Sequence, residues 1–238
     1  MMTKVRNRVT LTEMVGGGRS RLSLGITAGV WLVMAAVSTV FGQSATNQPA
    51  VVRVACLGDS LTYQEYPAPL GKLLGAGYQV EDFGVPCATV LKQGDVSYWK
   101  RGKIEAAEKF GPQIVTILLG TNDTRPQNWG HKDSFLGDYK ALIERVRQFP
   151  TKPKIYILIP TPVFGTPTVA GYAFDGAIVR EGVTPLIEQA AKESGVEVID
   201  LYSLLAKSPE MSVDGVHLNA AADAIIAKRI YEVLTAAH

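Results

Sequence analysis

Short apolar runs alternate with longer segments of helical pattern from residue 51 onward. The short runs are rich in Val and Ile and end in Gly, Pro or Asp, which predicts strands at 51–57, 78–82, 113–119, 154–159 and 196–200. The longer segments predict helices at 65–75, 97–110, 133–149, 176–194 and 220–236. Because such units are joined by right-handed crossovers, the pattern predicts an α/β fold with a parallel sheet covered on both faces.

The N-terminal part of the chain has a different composition from the rest. Arg19 and Arg21 precede an uncharged, mostly apolar stretch at 22–41, and a polar segment of small residues follows at 42–47. This order is typical of a secretory signal peptide, with a cleavage site after Gly42. An uncleaved anchor is the alternative, because about 20 apolar residues can span a bilayer. We therefore expect 1–48 to be a signal peptide or anchor with a short linker, and 49–238 to be one exported domain, periplasmic or extracellular.

The charge of the chain is concentrated in this N-terminal part. The formal net charge is +2, but five basic residues and one acidic residue lie within the first 42 positions. Without them 19 basic and 21 acidic side chains remain, out of 24 and 22. A near-neutral domain without a basic run offers no electrostatic footprint for nucleic acid. We expect no nucleic-acid partner, and membrane contact only through the N-terminal segment.

The chain has few cysteines and histidines, the usual ligands of zinc. It contains two cysteines, Cys56 and Cys87, and three histidines, and none of them has a partner at the spacing of a zinc site. A disulfide would be stable after export, but Cys56 lies within the first predicted strand, where a buried free thiol is the commoner occupant. The sequence therefore predicts no metal.

Candidate site residues follow four of the five predicted strands. Ser60 follows the first strand, Gly84 the second and Asn122 the third, while Asp214 and His217 lie in the loop after the fifth. In an open parallel sheet, ligands bind in the crevice beyond the carboxyl ends of the strands. We expect all five residues to meet at this edge.

Ser60 has two interpretations. Serine before a helix is a common N-cap, since its hydroxyl accepts a hydrogen bond from a free amide. Ser60 is also a candidate nucleophile, because it follows the Gly58-Asp59 turn, where a glycine allows a sharp bend and a helix start presents amides to a developing anion.

His217 is the strongest candidate for a base. Asp214 stands three residues before it, so one loop can present both side chains, with the carboxylate orienting the imidazole. The alternative is a surface loop in which Asp214 caps a turn. His131 lies in a polar stretch at a predicted helix start and His238 is the last residue, so both compete poorly.

Two further residues are candidates for stabilising an oxyanion. The side-chain amide of Asn122 could donate to it, although asparagine is also common in tight turns. Gly84 could bring a main-chain amide close, because it has no side chain.

Taken together, four blocks resemble the SGNH hydrolase superfamily, also called the GDSL esterases and lipases. They are GDSLT at 58–62, the glycine of DFG at 84, GTND at 120–123 and DGVH at 214–217. The resemblance implies a flavodoxin-like three-layer α/β/α sandwich with a five-stranded parallel sheet and no cofactor.

The resemblance also implies residue roles. Ser60 is then the nucleophile, with Asp214 and His217 completing the triad, and the oxyanion hole consists of Ser60, Gly84 and Asn122. One block departs from the family: many relatives have Asn-x-Gly-x-x-Gly where this chain has Asp82, Gly84 and Cys87. The loop after the second strand is therefore expected to be shaped differently.

Other stretches are similar to a bacterial branch of the family associated with carbohydrate deacetylation, including sialate O-acetylesterase-like and acetylxylan-esterase-like groups. This implies an esterase for short acyl groups, acting on a small-molecule or glycan ester. A lysophospholipase, a thioesterase and a non-catalytic glycan-binding relative are the alternatives. Aromatic residues could stack on sugar rings and polar ones could bind a substituent, although ordinary packing and solvated charge explain each equally well. These candidate contacts are Asp59, Tyr98, Trp99, Arg125, Trp129, Phe164 and Arg180.

Overall fold

A computed structural model describes residues 50–236. The strands are β1 (Val52–Gly58), β2 (Tyr78–Gly84), β3 (Ile114–Leu118), β4 (Lys154–Ile159), β5 (Thr168–Val169), β6 (Tyr172–Ala173) and β7 (Glu197–Asp200). The α-helices are α1 (Pro67–Leu74), α2 (Lys103–Phe110), α3 (Pro126–Trp129), α4 (Phe135–Arg147), α5 (Gly176–Ile178), α6 (Thr184–Ser194), α7 (Tyr202–Leu205) and α8 (Ala220–Ala236), and a π-helical turn spans Val179–Val183. Short 3₁₀ turns lie at Gly75–Gly77, Tyr98–Lys100, Asn122–Thr124, Lys132–Ser134 and Pro209–Met211.

Five strands form one parallel sheet in the order β2-β1-β3-β4-β7. The predicted α/β fold with a five-stranded parallel sheet is therefore confirmed. The register aligns Gly58 at the end of β1 with Gly84 of β2 and Leu118 of β3. Because these three strands end at the same level, the loops that follow them begin side by side.

The sheet separates two cores, since side chains alternate between its faces along each strand. On one face Leu57 and Ile117 pack against α2, α4 and α6, while on the other Cys56 and Leu118 pack against α1 and α8. All five residues of β3 are buried, as expected for the central strand of a sheet covered on both faces. The structure is thus a three-layer sandwich.

The structure differs from the sequence-based expectation in its details. The predicted helix at 97–110 is a 3₁₀ turn followed by the shorter α2, and Gly102 between them has a φ of 68°. The predicted helix at 176–194 contains the π-helical turn. A short antiparallel hairpin, β5 with β6, was not predicted, because two-residue strands leave no periodic pattern.

Both cysteines are free, with Cys56 buried and Cys87 half-buried.

Within 50–236, no helix is long and apolar enough to cross a membrane. No cluster of three or more His, Cys, Asp or Glu side chains in this described part is arranged to hold a metal ion. The predicted signal peptide or anchor at 1–48 lies outside the described residues.

Candidate active site

Ser60, His217 and Asp214 form a continuous hydrogen-bonded chain at the carboxyl edge of the sheet. His217 Nε2 lies 3.0 Å from Ser60 Oγ, and His217 Nδ1 lies 2.8 Å from Asp214 Oδ2. Nucleophile, base and orienting carboxylate have this arrangement in serine hydrolases of unrelated folds. The geometry could therefore transfer a proton from the Ser60 hydroxyl to the imidazole.

The loop that carries Asp214 and His217 is held by its own hydrogen bonds. Asp214 Oδ1 accepts from the main-chain N–H of Val216 at 2.9 Å and of His217 at 2.7 Å. Gly215 turns the chain with a φ of 90°, which a side chain would disfavour. Burial raises the pKa of Asp214, but hydrogen bonds from His217 and Val216 outweigh it and lower the pKa below its usual value. The carboxylate is thus charged when it faces the imidazole.

Asn122 lies beside the nucleophile loop, at the start of the turn that follows β3. Its side chain is almost fully buried, and Nδ2 donates to Asp59 Oδ2 at 3.2 Å and to the Ala88 carbonyl at 3.1 Å. These contacts hold the amide between the loops that follow β1 and β2. The structure thus brings four of the five predicted edge residues together: Ser60, Asn122, Asp214 and His217.

Gly84 does not present its amide to this site. Its N–H donates to Asp82 Oδ1 at 2.7 Å, and its backbone is buried at the end of β2. A Cβ at this position would lie 2.5 Å from the main-chain nitrogen of Tyr63. The glycine is required because the nucleophile loop packs directly on its backbone, so its assignment as an oxyanion donor is corrected.

The main-chain N–H of Cys87 replaces that of Gly84 as the candidate oxyanion donor. It adopts a φ of 65°, a left-handed conformation that usually calls for glycine. The main-chain N–H groups of Ser60 and Cys87 donate to no main-chain carbonyl among residues 50–236. The carbonyl of the next residue, Ala88, accepts from Asn122 Nδ2, which places this loop against the asparagine. The sequence analysis did not identify this amide. The signal was position 87 itself, where many relatives have the last glycine of Asn-x-Gly-x-x-Gly and this chain has a cysteine.

Two carboxyl groups are buried beneath the site. Asp59 accepts from the Leu61 N–H at 2.9 Å, and burial raises the pKa of Asp59 to about 7. Asp123 accepts from the N–H groups of Val90 and Leu91, and burial raises its pKa to about 7 as well. Neither side chain is exposed. The expectation that Asp59 contacts substrate is therefore wrong, because its carboxyl supports the loop from inside.

Arg125 is also fully buried. Its guanidinium forms an ion pair with Asp95 at 2.6 Å and lies 4.4 Å from the ring centroid of Tyr172. It cannot bind an acidic substituent of a substrate in this position, and this prediction is corrected.

Three of the four predicted aromatic contacts have partners within the protein. Tyr98 is buried and donates its hydroxyl to the Phe83 carbonyl at 2.7 Å. Trp99 donates Nε1 to the Val90 carbonyl at 2.9 Å, and Trp129 packs edge-on against Phe135. Tyr98 therefore serves packing, whereas Trp99 and Trp129 are half-buried and stay predicted contacts.

Phe164 and Arg180 line a cavity of about 390 Å³ beside the catalytic loop. The Phe164 N–H donates to the Gly215 carbonyl at 2.9 Å, which joins the cavity wall to the loop of Asp214 and His217. Tyr202 provides another aromatic wall, and Asp175 and Thr166 contribute polar groups. Two of the predicted contacts are therefore placed next to the site.

A carboxyl pair near His217 was not predicted. Glu65, in the loop after Ser60, interacts with Asp223 of α8, and burial together with Asp223 raises the pKa of Glu65 to about 7. Asp223 is buried, and its Oδ1 has no hydrogen-bond partner among the described residues. No sequence pattern links the two positions, which are brought together only by the packing of α1 against α8.

Comparison with known proteins places the chain in a family. Residues 56–225 match the GDSL-like lipase/acylhydrolase family, and the chain belongs to it. It is 31% identical over 213 residues to an acetylxylan esterase of Xylanibacter ruminicola, a match that covers 78% of this chain and 43% of that protein. The chain thus spans less than half the length of this relative.

Solved structures have the same fold. A protein of Agrobacterium tumefaciens assigned as an arylesterase is 26% identical with a TM-score of 0.64, over 78% of this chain and 99% of its own. A carbohydrate acetylesterase of Sinorhizobium meliloti is 19% identical with a TM-score of 0.64, over 79% of this chain and 100% of its own, which shows the shared fold alone.

Proposed function

We propose that this protein is a serine esterase that hydrolyses carboxylic esters through an acyl-enzyme. The observation that carries this proposal is the chain of hydrogen bonds from Asp214 Oδ2 through His217 to Ser60 Oγ, with distances of 2.8 and 3.0 Å. Membership in the GDSL-like lipase/acylhydrolase family supports it.

In the proposed reaction Ser60 Oγ bonds to the ester carbonyl carbon while His217 takes the hydroxyl proton. The charged Asp214 stabilises the resulting imidazolium. The carbonyl oxygen becomes an anion that accepts hydrogen bonds from the main-chain amides of Ser60 and Cys87 and from Asn122 Nδ2, which gives up one of its present acceptors, Asp59 or the Ala88 carbonyl, to do so. The ester bond then breaks, and the alcohol leaves with the proton from His217. Water, deprotonated by His217, releases the acid and restores Ser60.

Replacement of the nucleophile tests the reaction. We expect Ser60→Ala to abolish turnover of p-nitrophenyl acetate, because no other hydroxyl lies within reach of His217 Nε2 in the described structure. Ser203→Ala is the matched control: this exposed serine follows β7 and should leave the rate unchanged. Thermal melting of both variants verifies folding. Undiminished hydrolysis by Ser60→Ala would refute the assignment.

We propose short acyl groups on carbohydrate, above all acetyl, as the natural ester. The 31% identical relative is an acetylxylan esterase. The cavity beside the catalytic loop supports this choice, because Phe164 and Tyr202 offer aromatic surface and Arg180 a hydrogen-bond donor to a sugar.

A panel of esters tests the substrate class. We expect the highest kcat/KM with two-carbon acyl groups, and turnover of acetylated xylan or acetylated sialic acid. A maximum at eight carbons or beyond would favour a lysophospholipase or thioesterase instead. Failure of a fluorophosphonate probe to label the folded protein would favour a non-catalytic glycan-binding relative.

We also propose that the domain is exported, since the stretch at 22–41 has the composition of a signal peptide or anchor. Cell fractionation followed by N-terminal sequencing of the mature protein tests this. A start near residue 43 means cleavage, and an intact start in the membrane fraction means an anchor. Recovery of the intact chain from the cytoplasm would overturn export.

A further inference from the structure

Arg125 connects the two loops that supply the proposed oxyanion donors. Its Nε donates to the carbonyl of Asn122 at 3.1 Å, and its Nη2 donates to the carbonyl of Cys87 at 2.9 Å. Cys87 follows β2 and Asn122 follows β3, and these strands are not neighbours in the sheet because β1 lies between them. The guanidinium therefore joins the loop after β2 to the loop after β3.

The guanidinium is itself held in place. Nη2 also bonds to Asp95 Oδ1 at 2.6 Å, and the ring of Tyr172 from the β5–β6 hairpin covers it at 4.4 Å. Asn128 adds a second link, since its Nδ2 donates to both the Asn122 carbonyl and Asp95 Oδ1. A fully buried cation with these partners has little freedom to move.

Only an arginine can make these contacts together. Its planar fork places Nε and Nη2 at a fixed separation, so two carbonyls bound to it are held at a fixed distance. A lysine has one nitrogen on a flexible chain and cannot reproduce both directions. The remaining nitrogen, Nη1, is buried without a hydrogen-bond partner among the described residues, so the arrangement carries an energetic cost.

We propose that Arg125 is a positioning residue for the oxyanion hole, which sets the distance between the Cys87 amide and the Asn122 side chain from behind. This inference rests on the proposed esterase function. Arg125 does not touch the substrate, so its effect should appear in the transition state, where donors must lie about 3 Å from the oxyanion. Small displacements of such groups lower the rate much more than they weaken substrate binding.

Substitution by lysine tests the proposal. We expect Arg125→Lys to lower kcat for p-nitrophenyl acetate by roughly 10- to 100-fold, while KM changes less than about threefold. Inhibition by phenylboronic acid, which forms a tetrahedral adduct with the serine, should weaken by the same factor as kcat/KM. Arg145→Lys is the control, because Arg145 pairs with Glu108 between α4 and α2, away from the site.

A double-mutant cycle with Asn122→Ala separates positioning from a general structural role. If Arg125 acts through the oxyanion hole, the double variant loses less activity than the product of the two single losses. Fully multiplicative losses would overturn the proposal. So would a folded Arg125→Lys variant with unchanged kcat.

If Arg125→Lys fails to fold, Asp95→Asn tests the positioning role of Arg125. It weakens the ion pair that holds the guanidinium but keeps the side-chain shape, and we expect kcat to fall several-fold with KM unchanged. A folded Asp95→Asn variant with the wild-type kcat then overturns the proposal. The proposed function fails separately, when the wild-type protein does not hydrolyse esters or when Ser60→Ala retains the activity.

Discussion

At the scale of single residues, the proposed chemistry depends on which atom of each group faces the site. Asp214 uses one oxygen for two main-chain amides and the other for His217. Gly84 is the last residue of β2, and its amide donates to Asp82. Residue identity and spacing therefore identify the participants, but the direction of each donor follows from the local backbone.

We expect Asp214→Asn to lower kcat by roughly 10³- to 10⁴-fold with little change in folding. The two main-chain amides at Oδ1 keep the asparagine oxygen there, so its NH₂ group faces His217 Nδ1 and imposes the wrong tautomer. Steady-state kinetics with p-nitrophenyl acetate measures this. Asp200→Asn is the control, because the Asp200 carboxylate at the end of β7 accepts from the Ser203 N–H and from no other donor among residues 50–236. Retention of a third of the activity by Asp214→Asn would contradict the expectation.

We expect Cys87→Gly to raise the free energy of unfolding by up to about 1 kcal/mol. The left-handed conformation costs a side-chain-bearing residue about 1–2 kcal/mol, and part of this gain is offset by the greater freedom of glycine when unfolded. Cys87→Val should instead lower both stability and kcat, because a β-branched residue resists this conformation and would displace the amide. Urea denaturation distinguishes the two, and equal stability of both variants would rule out backbone strain.

At the scale of elements, the active-site loops are coupled through the packing of helices. Glu65 precedes α1 and Asp223 lies in the first turn of α8, and the two helices pack together on one face of the sheet. The carboxyl pair thus joins the Ser60 loop to the helix that follows the His217 loop. The other ionisable groups that act on the Glu65 carboxyl are His217 and Asp82.

This pair should make stability depend on pH. Burial raises the pKa of Glu65 from 4.5 to about 7, so between these values the folded protein binds a proton that the unfolded chain has released. The free energy of unfolding therefore falls as pH rises through this range. Burial raises the pKa of Asp59 and Asp123 in the same direction, which adds to the slope.

We expect Glu65→Gln to make this slope shallower, because the amide neither ionises nor repels Asp223. Urea denaturation at pH 5, 6 and 7 measures the effect. Glu188→Gln, at an exposed position on α6, is the matched control and should keep the wild-type slope. An identical slope for both variants would mean that Glu65 does not share a proton in the folded protein.

At the scale of the whole molecule, the buried central strand supports the site. β3 lies in the middle of the sheet, and all of its side chains are covered. β7 forms one edge of the sheet and exposes Val198 to 39%. The rigidity of the site therefore derives from β1 and β3, which carry Ser60 and Asn122 at their ends.

We expect Ile117→Ala to reduce the free energy of unfolding by about 2–5 kcal/mol, because it opens a cavity between β3 and the helices. Val198→Ala is the comparison within the same sheet. Its side chain is partly solvated, so the loss should stay below about 1 kcal/mol. Equilibrium urea denaturation gives both values. Similar losses at the two positions would contradict the layered core.

Much of this architecture could be predicted from the chain. Alternation of apolar runs with helical segments specified the parallel sheet, because strand and helix periodicities depend only on neighbouring residues. The missed features have no such local pattern: a two-residue hairpin, a π-helical turn, and a 3₁₀ turn within a predicted helix.

The sequence by itself determined the family, the fold class and the residues of the candidate triad. The fold class follows from the alternation of strand and helix patterns, and the family and the triad follow from short motifs, each of which comes after a strand. Only the tertiary structure decided that Gly84 faces Asp82, that the Cys87 amide is available, and that Asp59 and Arg125 are internal supports. The physical reason is that burial and hydrogen-bond partners arise from residues distant in the chain. Arg125, for example, has its partner carbonyl at Cys87, 38 positions earlier.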